Sequence, residues 1–284
     1  MGLHKEVDCI GDRRLSMTRT GDTLKEAFRI HAGEVISLVG GGGKTTLMFA
    51  LARELMTPGK MVITTTTTRI FPPSSTDSPR LFVSRDAEEI IDFIEKEGPQ
   101  TGHVTVAHEI DSAPGKLCGI DPELLVRLSE LESVVNIIVE ADGAAHRSLK
   151  APNRKYEPVI PANSSLVIPV VGIDVLGCEM REEFVFRSDI ASRLTGLAMG
   201  DIISPSTIAT LITHSEGIAW NSPGDARIMD LWGHILTGCC PKGFCNLNFK
   251  QTDRAIFWDN VIRRIMADKI PLSPERQLNT ACIP

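Results

Sequence analysis

The chain has 284 residues, 42% of them hydrophobic and 23% charged, with a formal net charge of −6. That length suits one large α/β domain or two small ones, and the apolar share is enough for a sizeable core. The acidic balance argues against a general nucleic-acid binder, which carries a basic face, and no apolar run reaches the length of a membrane span.

Met1 to Arg14 is polar and holds no apolar segment of the signal-peptide kind, and position 6 lacks the Ser or Thr of a myristoylation signal. With seven scattered cysteines, an odd number, this predicts a cytoplasmic protein with free thiols. Thr23 to Ile30 reads as a short helix with Leu24, Ala27, Phe28 and Ile30 inward, and Glu34 to Val39 as an apolar strand.

Then comes the most informative stretch, Gly40, Gly41, Gly42, Gly43, Lys44, Thr45 and Thr46. Glycines without Cβ atoms let backbone N–H groups wrap an anion. The lysine neutralises outer phosphates and a hydroxyl binds Mg²⁺, which together make a nucleoside triphosphate site. Thr45 to Leu55 has helical apolar spacing, so the glycines join a strand to a helix whose N-terminal amides favour anions. The pattern G-x-x-x-x-G-K-[ST] would put its first glycine at Leu38, so this loop is a shorter G-x-x-G-K-T form. A dinucleotide fingerprint fits less well, because Thr45 stands where its third glycine belongs and the second strand, from Met61 to Thr64, leads into threonines rather than an acid.

Pro72, Pro73, Ser74, Ser75 and Pro79 mark a surface loop. Strands are predicted at Leu81–Val83, Val104–Ala107, Val134–Val139 and Leu166–Val171, the last interrupted by Pro169. Helices are predicted at Asp86–Glu97 and Asp121–Leu131, with Pro122 at the first helical position. Strands alternating with helices imply βαβ units and a mainly parallel sheet. The proline-bearing stretch from Ala151 to Pro161 is a possible seam.

The strand from Val134 ends in Glu140 and Asp142, which alternation places on one side of an extended chain. Alone, two such acids read as a solvated strand end. Beside the phosphate loop, at the carboxyl edge of the same sheet, they read as ligands of Mg²⁺ or of a water nucleophile. The charges at His146, Arg147, Lys150, Arg154 and Lys155 read as a solvated loop or as phosphate contacts. Thr64 to Thr68 reads as a β-rich strand end or a hydroxyl-lined switch. His234, Cys239, Cys240 and Cys245 lie close in sequence without paired C-x-x-C spacing, which favours coincidence over a soft-metal site.

The blocks LVGGGGKTT from Leu38, ITTTTTRIF from Ile63, VEADGAA from Val139 and LKAP…YEPVIP from Leu149 carry a resemblance. In order and spacing they are similar to the selenium-dependent hydroxylase accessory protein family of the YqeC type. VVGIDVLG, FRSDIASRLTG and LITHSEGI look like its later blocks. The resemblance runs from about residue 24 to about residue 215. It implies a three-layer α/β phosphate-loop (P-loop) NTPase-like fold with a mainly parallel sheet. The chain is then expected to be one domain, with a nucleotide core over about 23–175 and a C-terminal α/β extension over about 176–284.

It also implies an Mg²⁺- and ATP- or GTP-dependent accessory protein that helps mature selenium-dependent molybdenum hydroxylases, with the hydroxylase or its cofactor-maturation proteins as partners. Gly40 to Thr46 would bind the nucleotide, with Lys44 on the phosphates. Thr45, Glu140 and Asp142 would hold the metal, and Lys44, Glu140 and Asp142 would be catalytic. A module that presents a nucleotide or a phosphorylated, pterin-type cofactor without turnover is the alternative; a small-molecule kinase lacks a recognisable acceptor site. The C-terminal part departs from the family, because Leu236 to Cys245 intervenes before a loose base-reading block in which Asn248, Lys250 and Asp253 are the expected contacts.

Overall fold

The structure is a computed structural model that describes residues 23–113 and 115–229. It opens with helix α1 (Leu24–Ala27), capped by a reciprocal pair in which Thr23 and Glu26 each satisfy the other's backbone N–H. The helix is shorter than its apolar spacing suggests because the chain turns at Arg29, where φ is 48°.

Strand β1 (Val35–Gly40) leads through the glycines into helix α2 (Lys44–Leu55). Strand β2 (Met61–Thr66) follows, then the short β3 (Arg69–Ile70) and β4 (Leu81–Val83). Helix α3 (Ala87–Thr101), capped by Asp86, continues past its expected end at Glu97. Next come β5 (His103–Ala107), β6 (Glu109–Ile110), β7 (Leu117–Cys118) and helix α4 (Pro122–Ser129), which Asp121 caps. Strand β8 (Val134–Glu140), β9 (Leu149–Lys150), β10 (Leu166–Val170) and β11 (Val185–Phe186) precede helices α5 (Ser188–Thr195) and α6 (Pro205–Thr213). Strand β12 (Arg227–Ile228) closes the described chain.

Seven strands form a parallel sheet in the order β12-β10-β1-β8-β2-β5-β4. Side-chain alternation divides the core between its two faces. Ile36, Leu38, Val62, Ile138, Leu166 and Ile168 pack with α1 and α2. Val35, Met61, Ile63, Val104, Ile137 and Val139 pack with α3 and α4. Val39 and Val167 join the buried residues of α5 and α6 in a third cluster. Burial on both faces explains why β1 and β8 read as almost continuous apolar runs.

Pro169 does not break its strand. It lies opposite Val39 in the β1 register, while β12 pairs only with Leu166 and Val167 on the other side. The missing N–H therefore falls where no neighbouring strand asks for it.

Two smaller pairings give no periodic signal in the sequence. Strands β3, β7 and β6 form an antiparallel sheet, and β9 pairs in parallel with β11. The antiparallel sheet is seated on the end of β2 at Gly119, where an added Cβ would stand 2.0 Å from the Thr66 carbonyl oxygen. No helix among the described residues is long and apolar enough to cross a membrane.

Candidate functional site

The site lies where neighbouring strands β1 and β8 end. In register, Leu38 faces Glu140, which faces Thr66 of β2 on its other side. The chain leaves β1 through Gly40 and enters α2 at Lys44, with Gly43 as a left-handed N-cap that has no side chain to cap the helix. The first amides of that helix therefore have neither an intrahelical nor a side-chain acceptor, the arrangement that draws anions to helix N-termini.

The glycines are needed chiefly by the protein itself. A Cβ on Gly41 would lie 2.7 Å from the Arg147 carbonyl oxygen, and one on Gly42 would lie 2.8 Å from the Gly172 nitrogen. Gly43, by contrast, faces open space. The compact loop is thus wedged between residues 147–149 and Gly172, with only its final turn presented outward.

Lys44 is buried and its ammonium is already engaged. It donates to the Gly40 carbonyl oxygen at 2.5 Å and lies 3.2 Å from Asp142 Oδ1 and 3.8 Å from Glu140 Oε1. Thr45 Oγ1 donates to Glu140 Oε2 at 2.7 Å. The structure thus brings Lys44, Thr45, Glu140 and Asp142 together across roughly a hundred residues of sequence, as β8 beside β1 requires. Thr46 is exposed on the outer side of the helix start.

The two acids differ in setting. Asp142 accepts from the Gly40 N–H with both oxygens, at 3.2 and 2.9 Å, and also faces Lys44 and, at 3.1 Å, Lys150. Its lone pairs are committed to holding the loop. Burial pushes the Glu140 carboxyl up, and Lys44 and the Thr45 hydroxyl only partly offset this. A hydroxyl and a carboxylate side by side are hard oxygen donors suited to Mg²⁺. The fit to a metal therefore rests on Thr45 and Glu140 more than on Asp142.

Behind this pair, where the sequence predicts solvated loop charges or phosphate contacts, runs a buried ionic chain through Lys150. Lys150 is fully buried; it donates to the Gly143 carbonyl oxygen at 2.6 Å and to Glu157 Oε2 at 2.8 Å. Glu157 in turn pairs with Arg187 and accepts from the Gly143 N–H at 3.1 Å. Burial opposes ionisation of Glu157, but Lys150 and Arg187 prevail and hold its carboxyl below the usual range. Arg187 is the N-cap of α5, so the chain of charges links the loop to that helix. The one advance signal of Lys150 was its place in the LKAP block. Arg154 and Lys155 are exposed, as a solvated loop requires.

The threonine run is structural along most of its length. Thr64 bonds with Thr105 and His103, Thr65 donates to the Val106 carbonyl oxygen, and Thr66 donates to that of Glu140. His234, Cys239, Cys240, Cys245, Asn248, Lys250 and Asp253 lie outside the described residues. Among the described residues no group of three or more His, Cys, Asp and Glu side chains is placed to hold a metal by itself.

The sequence model of the family described as YqeC protein matches residues 36–189, which contain every member of this site from Gly40 to Arg187. A curated relative, a protein named YqeC from Escherichia coli strain K12, is 35% identical over 194 residues. That match covers 68% of this chain and 73% of the relative, and the relative's name states no activity. No solved structure matches the chain. On the span of the family match and the identity to this relative, the chain belongs to the YqeC protein family.

Proposed function

We propose that the chain binds an Mg²⁺-nucleotide, ATP or GTP, at the Gly40–Thr46 loop, and acts as a cytoplasmic accessory protein in maturing selenium-dependent molybdenum hydroxylases. The observation that carries the nucleotide reading is the Lys44–Thr45–Glu140 grouping at an uncapped helix N-terminus beside the carboxyl edge of a parallel sheet. The hydroxylase link rests on the resemblance of the sequence blocks.

In this reading the α2 amides and Lys44 take the phosphates, and Lys44 exchanges Gly40 and Asp142 for phosphate oxygens. Thr45 and Glu140 hold Mg²⁺, which when bound neutralises charge on the outer phosphates. Asp142 keeps the loop closed through the Gly40 N–H. Release of Lys44 from Asp142 would leave Lys150 as that carboxylate's partner, so ligand binding is felt along the chain to Glu157, Arg187 and α5.

A second reading, a binding module without turnover, draws on one observation: both Asp142 oxygens are already bonded, so this acid is poorly placed to orient a water nucleophile. Phosphate release from Mg²⁺-ATP and Mg²⁺-GTP, measured alongside equilibrium binding, separates the two. Release that Lys44→Ala abolishes supports an NTPase. Binding without release supports the module. Neither binding nor release in the wild type overturns both.

A further inference from the structure

Three side chains, from the ends of β3 and β7 and from the turn after β8, meet near the surface. Phe71 follows β3 and is 48% exposed, unusual for a large aromatic. Its ring faces the exposed His146 at 6.2 Å between centroids and 23° between planes. The Lys116 ammonium lies 4.7 Å from the Phe71 ring centre.

The ring spacing is informative. Where two rings of this protein stack in direct contact, Phe82 on Phe93, the centroids are 4.1 Å apart at 12°. A third ring between two others needs two contacts of about 3.5 Å, or about 7 Å in all. Phe71 and His146, at 6.2 Å between centroids, fall short of that opening, and the Lys116 ammonium already lies over the Phe71 ring, so an entering ring parts the pair and displaces the ammonium.

The backbone holds this arrangement at a cost. Ala145 and His146 are successive non-glycine residues at φ of 45° and 63°. Left-handed non-glycine residues are strained and concentrate at binding sites. Arg147 fixes the turn by donating to the carbonyl oxygens of Ala145 at 2.7 Å and Glu182 at 3.1 Å. On the other side, Gly119 donates to the Thr68 carbonyl oxygen at 3.0 Å and seats the small sheet that carries Phe71 and Lys116. Thr66, against which Gly119 is packed, donates to the Glu140 carbonyl oxygen at 2.7 Å, so the small sheet adjoins the strand end that carries the phosphate site.

We propose that Phe71, His146 and Lys116 form a second small-molecule site, which takes a planar heteroaromatic ring bearing a negative charge. The ring enters between Phe71 and His146 and the ammonium meets the anionic group. The stacking itself does not depend on nucleotide binding; only the claim that the second ligand lies beside a bound phosphate chain rests on the function proposed above.

Fluorescence titration of the full chain tests it, with pterin-6-carboxylate and flavin mononucleotide as probes. Saturable binding of at least one is expected, weakened about tenfold or more by Phe71→Ala and preserved by Phe71→Trp, as stacking interactions require. Lys116→Ala should weaken the carboxylate probe and leave the uncharged 6-hydroxymethylpterin unaffected. Lys44→Ala should leave probe binding intact, so a failure of the nucleotide reading is seen separately in ATP and GTP titrations of the same samples. Absence of saturable binding by both probes, or equal affinity in wild type and Phe71→Ala, overturns the second site.

Discussion

The Lys150 ammonium lies 3.1 Å from Asp142 Oδ2, with both side chains sealed from solvent, while Lys44 faces Oδ1 of the same carboxylate at 3.2 Å. One aspartate thus stands between the lysine of the glycine loop and a lysine held in the core. Truncating the second, in Lys150→Ala, leaves Asp142 with Lys44 and Glu157 with Arg187, each short of one buried cationic partner. Breaking a buried pair from one side costs about 3–5 kcal/mol. Urea denaturation should show a loss of that size. Arg154→Ala, which removes an exposed pair with Glu216, should cost at most about 1 kcal/mol. Equal effects of the two variants would contradict the burial argument.

Within the loop, the glycines should rank by what surrounds them. Gly43 has φ 89° and open space, so Gly43→Ala meets only backbone strain of about 1–2 kcal/mol. Gly42 has φ 63° and the Gly172 backbone against it, so Gly42→Ala must also push two segments apart. Thermal melts should place Gly42→Ala clearly below Gly43→Ala, and the reverse order would show that the loop is not wedged as described.

The carboxyl of Glu140 is raised by burial, so the folded state holds its proton more tightly than the unfolded chain does. Its contribution to stability is complete below the ordinary glutamate range and is lost as pH rises through the raised value. Glu140→Gln is therefore expected to melt higher than wild type at neutral pH, with the difference fading on acidification. The same variant should lose any Mg²⁺ dependence of nucleotide affinity. A wild-type melting advantage at neutral pH would contradict this assignment.

His103 works in the opposite sense. Burial, reinforced by the Arg53 charge, lowers its pKa from 6.5 to about 4. The neutral ring is the native form, so stability is full above the unfolded value and falls as pH drops from 6.5 towards about 4. The shift corresponds to on the order of 3 kcal/mol. His103→Gln should flatten that part of the acid-denaturation profile, and an unchanged profile would contradict the assignment.

The local parts of this account were legible in the sequence. Strand, glycine turn and helix occupy consecutive residues, and the β8 run announces its acids two residues apart. Strand pairing then supplied what spacing could not, setting Glu140 against Thr45 rather than leaving it a solvated strand end. Lys150 looked like one more loop charge because only the fold brings Asp142 and Glu157 around it. Strands β3, β6 and β7 have two residues each, too few to show alternation, so the sheet that carries Phe71 and Lys116 stayed hidden.

Isothermal titration of the wild type and Lys44→Ala with Mg²⁺-ATP and Mg²⁺-GTP measures nucleotide binding at the glycine loop itself. Saturable binding of at least one nucleotide by the wild type is expected, weakened about tenfold or more in Lys44→Ala, as loss of a charge-assisted phosphate contact implies. Equal and negligible binding by both proteins would contradict it.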